Sequence, residues 1–294
     1  MGFNFRRITA TFRKTKTLYV SDLDGTLLNE QSVVSEQSRE ILNQLITDHS
    51  VLFSVATART PATVEPLLSG IKTTLPFVVM NGAAMWDASI HRYVNAVAMR
   101  ENAVQHICAI YERRGIHPFI YRNHDGVLRA YHNSELLDTE KEFMKERMNT
   151  PYKNFVIGAD PYTATGDDAL IIFSMNRFER LQLVNNDIIA SKIPCHTVCY
   201  HDIFNYEDGI LEVYAPGVTK ASALARLKKQ TGANRLVVFG DNLNDVEMMR
   251  LATHSVAVEN AVDAVKRIAD EVIGKNTDDS VAKWIQEDIE RYGN

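Results

Sequence analysis

Leu18-Tyr19-Val20-Ser21-Asp22-Leu23-Asp24-Gly25-Thr26-Leu27 runs an apolar strand pattern directly into two carboxylates one residue apart, then breaks at a glycine. In open α/β sheets ligands bind outside the carboxyl ends of the strands, which is where this pattern puts its acids. Asp22 and Asp24 therefore stand at a position for chemistry rather than packing. An isolated Asp-x-Asp carries little weight, because surface loops contain such pairs by chance. The weight comes from its company further along the chain, above all Gly240-Asp241-Asn242-Leu243-Asn244-Asp245.

Working outward, further short apolar runs end in polar or glycine-bearing residues: Val51–Ala56 before Thr57, Phe77–Met80 before Asn81-Gly82, Leu236–Phe239 before Gly240-Asp241, and Val256–Val258 before Glu259-Asn260. Near-continuous Val, Ile and Leu runs suit a parallel sheet buried on both faces. Helical spacing lies between them. One helix runs from Ser35 through Leu42 and Leu45, and a second opens with Thr60 as cap and Pro61 at its first position. A third is capped by Thr219 and ended by Gly232, and a fourth is capped by Asn260 and carries Val262, Val265 and Ile268. The alternation predicts an α/β fold with a doubly wound, Rossmann-like parallel-sheet core.

Residues 88–212 break that rhythm and read as an inserted α+β cap. The expected elements are helices at Glu101–Arg114, Ser134–Met148 and Arg177–Ser191, with strands at His117–Arg122, Val127–Tyr131, Ala169–Met175, Cys195–Tyr200 and Ile203–Glu207. The core is then 17–87 and 213–294, preceded by a basic extension over 1–16. At 294 residues and 45% hydrophobic content two domains are expected, since single cores stop growing near this size.

The formal charge of -5 argues against nucleic-acid binding, which needs a basic footprint, and favours a small soluble partner. No run approaches the roughly 18 apolar residues of a membrane span, and no apolar signal region opens the chain, so a cytoplasmic location is expected. The three cysteines, Cys108, Cys195 and Cys199, read as reduced thiols, and His196 and His201 beside them match no zinc spacing. Nothing in the sequence speaks to oligomeric state.

At the strand ends the core carries Asp22 and Asp24, Thr57 with Arg59, Asn81-Gly82, Lys220 at a helix start, and Asp241 with Asn244 and Asp245. Together they describe an anion site with a hard cation in it. Mg²⁺ takes oxygen ligands in octahedral geometry at about 2.0–2.1 Å, through a few carboxylates plus substrate phosphate and water. Asp22, Asp241 and Asp245 can supply such ligands. A threonine hydroxyl, a lysine ammonium, an asparagine amide and free backbone N–H groups can hold a phosphate. Neither a Walker loop nor a Gly-x-Gly-x-x-Gly turn is present, so a carboxylate nucleophile is the better reading.

These motifs resemble the haloacid dehalogenase superfamily of phosphohydrolases, in its Cof-type subclass IIB with a large inserted cap. The likeness spans 17–294. Asp22-Leu23-Asp24-Gly25-Thr26-Leu27 is similar to motif one, Ala56-Thr57-Ala58-Arg59 to motif two, Lys220 to motif three, and Gly240-Asp241-x-x-Asn244-Asp245 to motif four. The resemblance implies that Asp22 attacks phosphorus to form an aspartyl-phosphate, while Asp24 protonates the leaving oxygen and later deprotonates water. It implies Mg²⁺ held by Asp22, the backbone carbonyl of Asp24 and Asp241, with Asp245 or Asn242 assisting. It also implies phosphoryl oxygens held by Thr57, Lys220, Asn244 and the backbone N–H groups of Leu23 and Ala58. Ala58 and Ala221 stand where glycine is usual.

The expected activity is Mg²⁺-dependent hydrolysis of small phosphorylated metabolites, sugar phosphates first. A hexose phosphomutase is the alternative within phosphoryl transfer, and a non-catalytic binding or regulatory protein the alternative outside it. Arg59 is expected to orient its loop or pair with acids, and Asn81-Gly82 to be a turn handing the chain to the cap or a substrate contact. In the cap, Tyr121, Arg122, His124, Arg129, His132 and Tyr206 are candidates to reach substrate, each more often a packing or surface residue.

Overall fold

The computed structural model describes residues 15–148, 150–159, 168–202 and 205–292; most of the basic extension lies outside them. A five-stranded sheet places Thr17–Ser21 inside, between Arg235–Gly240 and Leu52–Val55, with His254–Val258 and Glu271–Ile273 continuing one edge. Every pairing in it is parallel. All five residues of Thr17–Ser21 are buried, as expected of a strand with neighbours on both edges and helices on its faces. Helices Glu36–His49 and Ser280–Tyr292 pack on each other, as do Lys220–Thr231 and Val246–Leu251.

Register decides where the site falls. Ser21 lies opposite both Phe239 and Val55, so the three chains leave the sheet at one level: Asp22, Gly240-Asp241 and Ala56-Thr57. The Asp22 amide donates to Phe239 O at 3.0 Å and that of Ala56 to Ser21 O at 2.9 Å, extending the ladder to the point of departure. Residues far apart in sequence thus meet at one rim.

The helix starts follow their caps. Ser35 Oγ accepts from the Ser38 amide at 2.9 Å, and Thr219 Oγ1 from that of Ser222 at 3.1 Å, with Gly232 closing the latter helix at φ 68. The fourth expected helix is shorter than its pattern. It spans Asp263–Lys266 with Val262 as cap, because the side chain of Asn260 is used elsewhere: its amide donates to Gly25 O at 2.7 Å and its carbonyl accepts from the Asn276 amide at 3.0 Å.

The insert carries a six-stranded sheet ordered His196–His201, Asp208–Tyr214, Asp168–Arg177, Phe119–His124, Val127–His132, Lys153–Ile157. Its pairings are antiparallel except the last. Two expected elements differ. The helix placed over Ser134–Met148 is confined to Asp138–Lys145, and its start is set by Glu140, whose carboxylate accepts from the Leu137 amide at 2.8 Å. Of the strand placed at Ile203–Glu207, residues 203 and 204 fall outside the described residues and 205–207 form a turn. The Asn205 amide donates to Asp208 Oδ2 at 2.7 Å and Asp208 N to Asn205 O at 2.9 Å, so turn chemistry wins and the strand begins at Asp208. That strand runs on to Tyr214, through the expected cap-to-core junction at 212.

The run expected as a further parallel strand, Phe77–Val79, meets the five-stranded sheet through one parallel bridge, Val78 to Ala56, and instead starts a three-stranded antiparallel sheet with Ala84–Asp87 and Arg92–Val94.

Candidate active site

The first carboxylate loop is shaped by what it must approach. Gly25 has φ +75, and a Cβ there would come within 2.4 Å of Asp241 Oδ2, so only glycine lets this turn close on the fourth motif. Next to it, Thr26 Oγ1 donates to Asp241 Oδ1 at 3.1 Å. The opposing loop is tied by Asp245, whose Oδ2 accepts from the amides of Asp241 and Asn242 at 3.0 and 3.2 Å.

Between the loops stands Lys220, buried at the start of its helix. Its Nζ donates to Asp22 Oδ1 at 2.6 Å and to Asp245 Oδ1 at 2.7 Å. Asp22, Asp241 and Asp245 each offer an oxygen, and these oxygens all lie within 4.8 Å of one another. One ammonium cannot neutralise three carboxylates. Burial, with Asp245 and Asp241 adding repulsion, pushes Asp22 up to about 8 against the pull of Lys220. Burial and Asp245 likewise push Asp241 up to about 6. Burial works against the charge of Lys220, but the two carboxylates outweigh it and raise its pKa. An oxygen-only pocket with surplus negative charge is the donor set of a hard divalent cation.

Asp24 is engaged differently. Arg59 donates through Nε to Asp24 Oδ2 at 2.7 Å and through Nη2 to Oδ1 at 2.5 Å, a bidentate fork at the half-exposed lip of the site. Arg59 thus pairs with an acid, as its position suggested. Thr57 is buried, and its Oγ1 accepts from the Arg59 amide at 3.1 Å, which leaves its hydroxyl proton for another acceptor. Ala58 is partly exposed in the same turn, whereas the Leu23 side chain is fully buried, so Leu23 can meet a ligand only through its backbone. Asn244 is exposed. Asn242 turns its Oδ1 onto the Leu243 amide at 2.7 Å, capping the loop.

Several cap candidates are packing residues. Arg122 is buried against Glu101, with both terminal guanidinium nitrogens 2.9 Å from its carboxylate. Both ring nitrogens of buried His132 lie against carbonyl oxygens, of Asn133 and His117, at 2.9 and 2.8 Å. Tyr206 is exposed and stacks on His201 at 3.8 Å. His196 and His201 alternate to opposite faces of their strand, and the acid triad is the metal-capable group found among the described residues. Sequence reasoning missed the supporting contacts of Thr26 and Asn260. Thr26 had a signal, since it follows Gly25 inside the opening stretch, but the reach of Asn260 to Gly25 depends on tertiary structure alone.

The rim of the parallel sheet thus brings together clustered carboxylates, a buried lysine and an arginine-held second acid. The family profile of haloacid dehalogenase-like hydrolases matches residues 19–285, and the chain belongs to that family. The 5-amino-6-(5-phospho-D-ribitylamino)uracil phosphatase YitU of Bacillus subtilis is 28% identical over 279 residues, covering 92% of this chain and 96% of its own length. The pyridoxal phosphate phosphatase YbhA of Escherichia coli is 24% identical over 275 residues, covering 92% and 98%. Among solved structures, a haloacid dehalogenase-like hydrolase from Bacteroides thetaiotaomicron superposes with a TM-score of 0.75 at 21% identity, over 93% of this chain and 99% of the other. A subclass IIB sugar phosphatase does so with a TM-score of 0.71 at 20% identity, over 93% and 98%. The chain is therefore a hydrolase, and the curated relatives named are phosphatases. No helix among the described residues is long and apolar enough to cross a membrane.

Proposed function

We propose that this chain is a Mg²⁺-dependent phosphatase of small phosphate monoesters, with Asp22 as nucleophile and Asp24 as general acid and base. The observation that carries the reading is the convergence of Asp22, Asp241 and Asp245 around Lys220, buried at the sheet rim. Mg²⁺ would be held by Asp22, Asp241 and the Asp24 carbonyl, with Asp245 and Asn242 behind them, and would neutralise charge developing on the phosphoryl group.

This chain's own groups then divide the work. An Asp22 carboxylate oxygen forms a bond to phosphorus as the ester P–O bond breaks, and the departing oxygen takes a proton from Asp24. Asp24 next removes a proton from the water that attacks the same phosphorus, and the Asp22 carboxylate is released with inorganic phosphate. Thr57, Asn244, Lys220 and the amides of Leu23 and Ala58 orient the phosphoryl oxygens, the positioning work this chemistry mainly needs. Because Arg59 engages both Asp24 oxygens, substrate entry must loosen one limb of that fork. The relatives named above act on phosphates of a ribityl chain and of pyridoxal, which supports a phosphorylated hydroxymethyl group, as in sugar and polyol phosphates, as the substrate class.

The test is a panel of phosphate monoesters ranked by kcat/KM, each with Mg²⁺ and with chelator. Sugar and polyol phosphates should lead, chelation should abolish turnover, and added Mg²⁺ should restore it. Full activity after chelation contradicts the metal assignment, and conversion of a hexose 1-phosphate to its 6-phosphate without phosphate release contradicts the phosphatase assignment.

The second acid has its own signature. An alkoxide leaves poorly without a proton while p-nitrophenolate leaves readily, so Asp24→Asn should lower kcat/KM, which reports the step that expels the alcohol, by about 10²–10⁴-fold on an alkyl phosphate and by much less on p-nitrophenyl phosphate. Equal losses of kcat/KM on both esters would remove Asp24 from the acid role.

A further inference from the structure

The turn after Phe77–Val79 holds three consecutive residues at positive φ: Met80 at 51, Asn81 at 50 and Gly82 at 95. Two of them are not glycine, so their surroundings must hold them there. Met80 N donates to Arg59 O and Asn81 N to Thr57 O, each at 3.0 Å, which binds the turn to the loop carrying Thr57 and Arg59. On its other side a Cβ at Gly82 would lie 2.2 Å from Thr219 O, so the turn is pressed against the residue that caps the Lys220 helix. The turn is a wedge between two motifs of the site.

What grips the wedge comes from the cap sheet. The Asn81 amide donates to Glu212 Oε2 at 3.1 Å and approaches Tyr214 Oη at 3.2 Å, and Tyr214 Oη donates to the same Glu212 oxygen at 2.8 Å. Glu212 and Tyr214 are buried on the strand Asp208–Tyr214, whose chain continues directly into Thr219 and Lys220. Their neighbours on the strand, Leu211 and Val213, are the apolar residues a packing position takes. Burial pushes the Glu212 carboxyl up to about 7, while the hydrogen bonds from Tyr214 and Asn81 work the other way. A buried acid with no cation paired to it among the described residues is a costly choice for packing alone.

We propose that Glu212 is a positioning residue for the phosphoryl-transfer reaction, acting through Asn81 to set the Thr57–Arg59 loop and the start of the Lys220 helix. The proposal rests on the phosphatase reading above. It extends that reading to a cap-strand residue that touches neither the acid cluster nor Asp24 in this structure.

The test is a double-mutant cycle in the full chain, with p-nitrophenyl phosphate and Mg²⁺. Glu212→Leu removes the acceptor, and Asn81→Gly removes the amide while keeping the left-handed backbone accessible. Each should lower kcat by about 10–100-fold, the scale of a small misplacement of reacting groups, with KM changed by less than about threefold. The double variant should be no worse than either single one, because both break the same bridge. Glu212→Gln, which retains an acceptor oxygen, should recover most of kcat. Wild-type kcat in both single variants, or losses that multiply in the double, overturns the proposal. If Glu212→Leu does not fold, Asn81→Gly against Glu212→Gln decides it: wild-type kcat in Asn81→Gly, or a loss in Glu212→Gln as deep as that in Asn81→Gly, overturns it. An inert wild-type protein would overturn the phosphatase reading and this proposal together, whereas an active wild type with unaffected variants overturns this one alone.

Discussion

Asp22→Asn is expected to lower kcat for p-nitrophenyl phosphate by about 10³-fold or more while leaving the melting temperature unchanged or raised. Activity falls because an amide oxygen is no nucleophile toward phosphorus. The fold does not suffer, because Asp22 sits with Asp241 and Asp245 around a single lysine. Without metal, burial holds its carboxyl up at about 8. A carboxyl whose folded pKa lies above its unfolded value costs stability progressively as pH rises from about 4 toward that folded value, because at neutral pH folding must take up a proton there or bury a charge. Asparagine keeps the shape and carries neither cost. Opposite effects on turnover and stability are the mark of a functional acid. A variant with wild-type turnover would exclude attack by Asp22.

Lys220→Met should have the largest effect on stability. The lysine is the cation between two buried carboxylates, at 2.6 Å from Asp22 and 2.7 Å from Asp245. Methionine fills similar volume and leaves both acids unpaired, and breaking such a buried pairing costs about 3–5 kcal/mol. For a chain of this size that corresponds to a fall in Tm of about 6–20 °C in metal-free buffer. The sign with pH follows from the raised pKa of Lys220: its stabilisation is present below the unfolded lysine value of about 10.4 and fades only above it. The deficit therefore spans the whole neutral range, and it should shrink when Mg²⁺ replaces part of the missing charge. Calorimetry with and without Mg²⁺ checks this, and a variant melting with the wild type would show that the ion pairs contribute nothing.

The core was legible in the sequence because its strands are buried on both faces, which leaves continuous apolar runs ending abruptly in Asp22, Thr57 and Asp241. Parallel register then required those ends to align, and Ser21 does lie opposite Phe239 and Val55. Less legible was whatever depends on who fills a side chain's hydrogen bonds. Asn260 has the chemistry of a helix cap, yet it serves Gly25 instead, and Val262 stands at the cap. The strand Asp208–Tyr214 was hidden by the turn residues Asn205 and Asp208 at its start, which moved its register by several positions. In the cap, Arg122 and His132 have the polarity of ligand-binding groups, and only tertiary structure shows them engaged by Glu101 and packed against two backbone carbonyls.

A crystal structure of the protein grown with Mg²⁺ and beryllium fluoride, a mimic of aspartyl-phosphate, tests the central claim most directly. The account predicts beryllium bonded to an Asp22 carboxylate oxygen, with one Mg²⁺ coordinated by both Asp22 and Asp241. Beryllium on any other side chain, or a Mg²⁺ ion bound without Asp22, would contradict it.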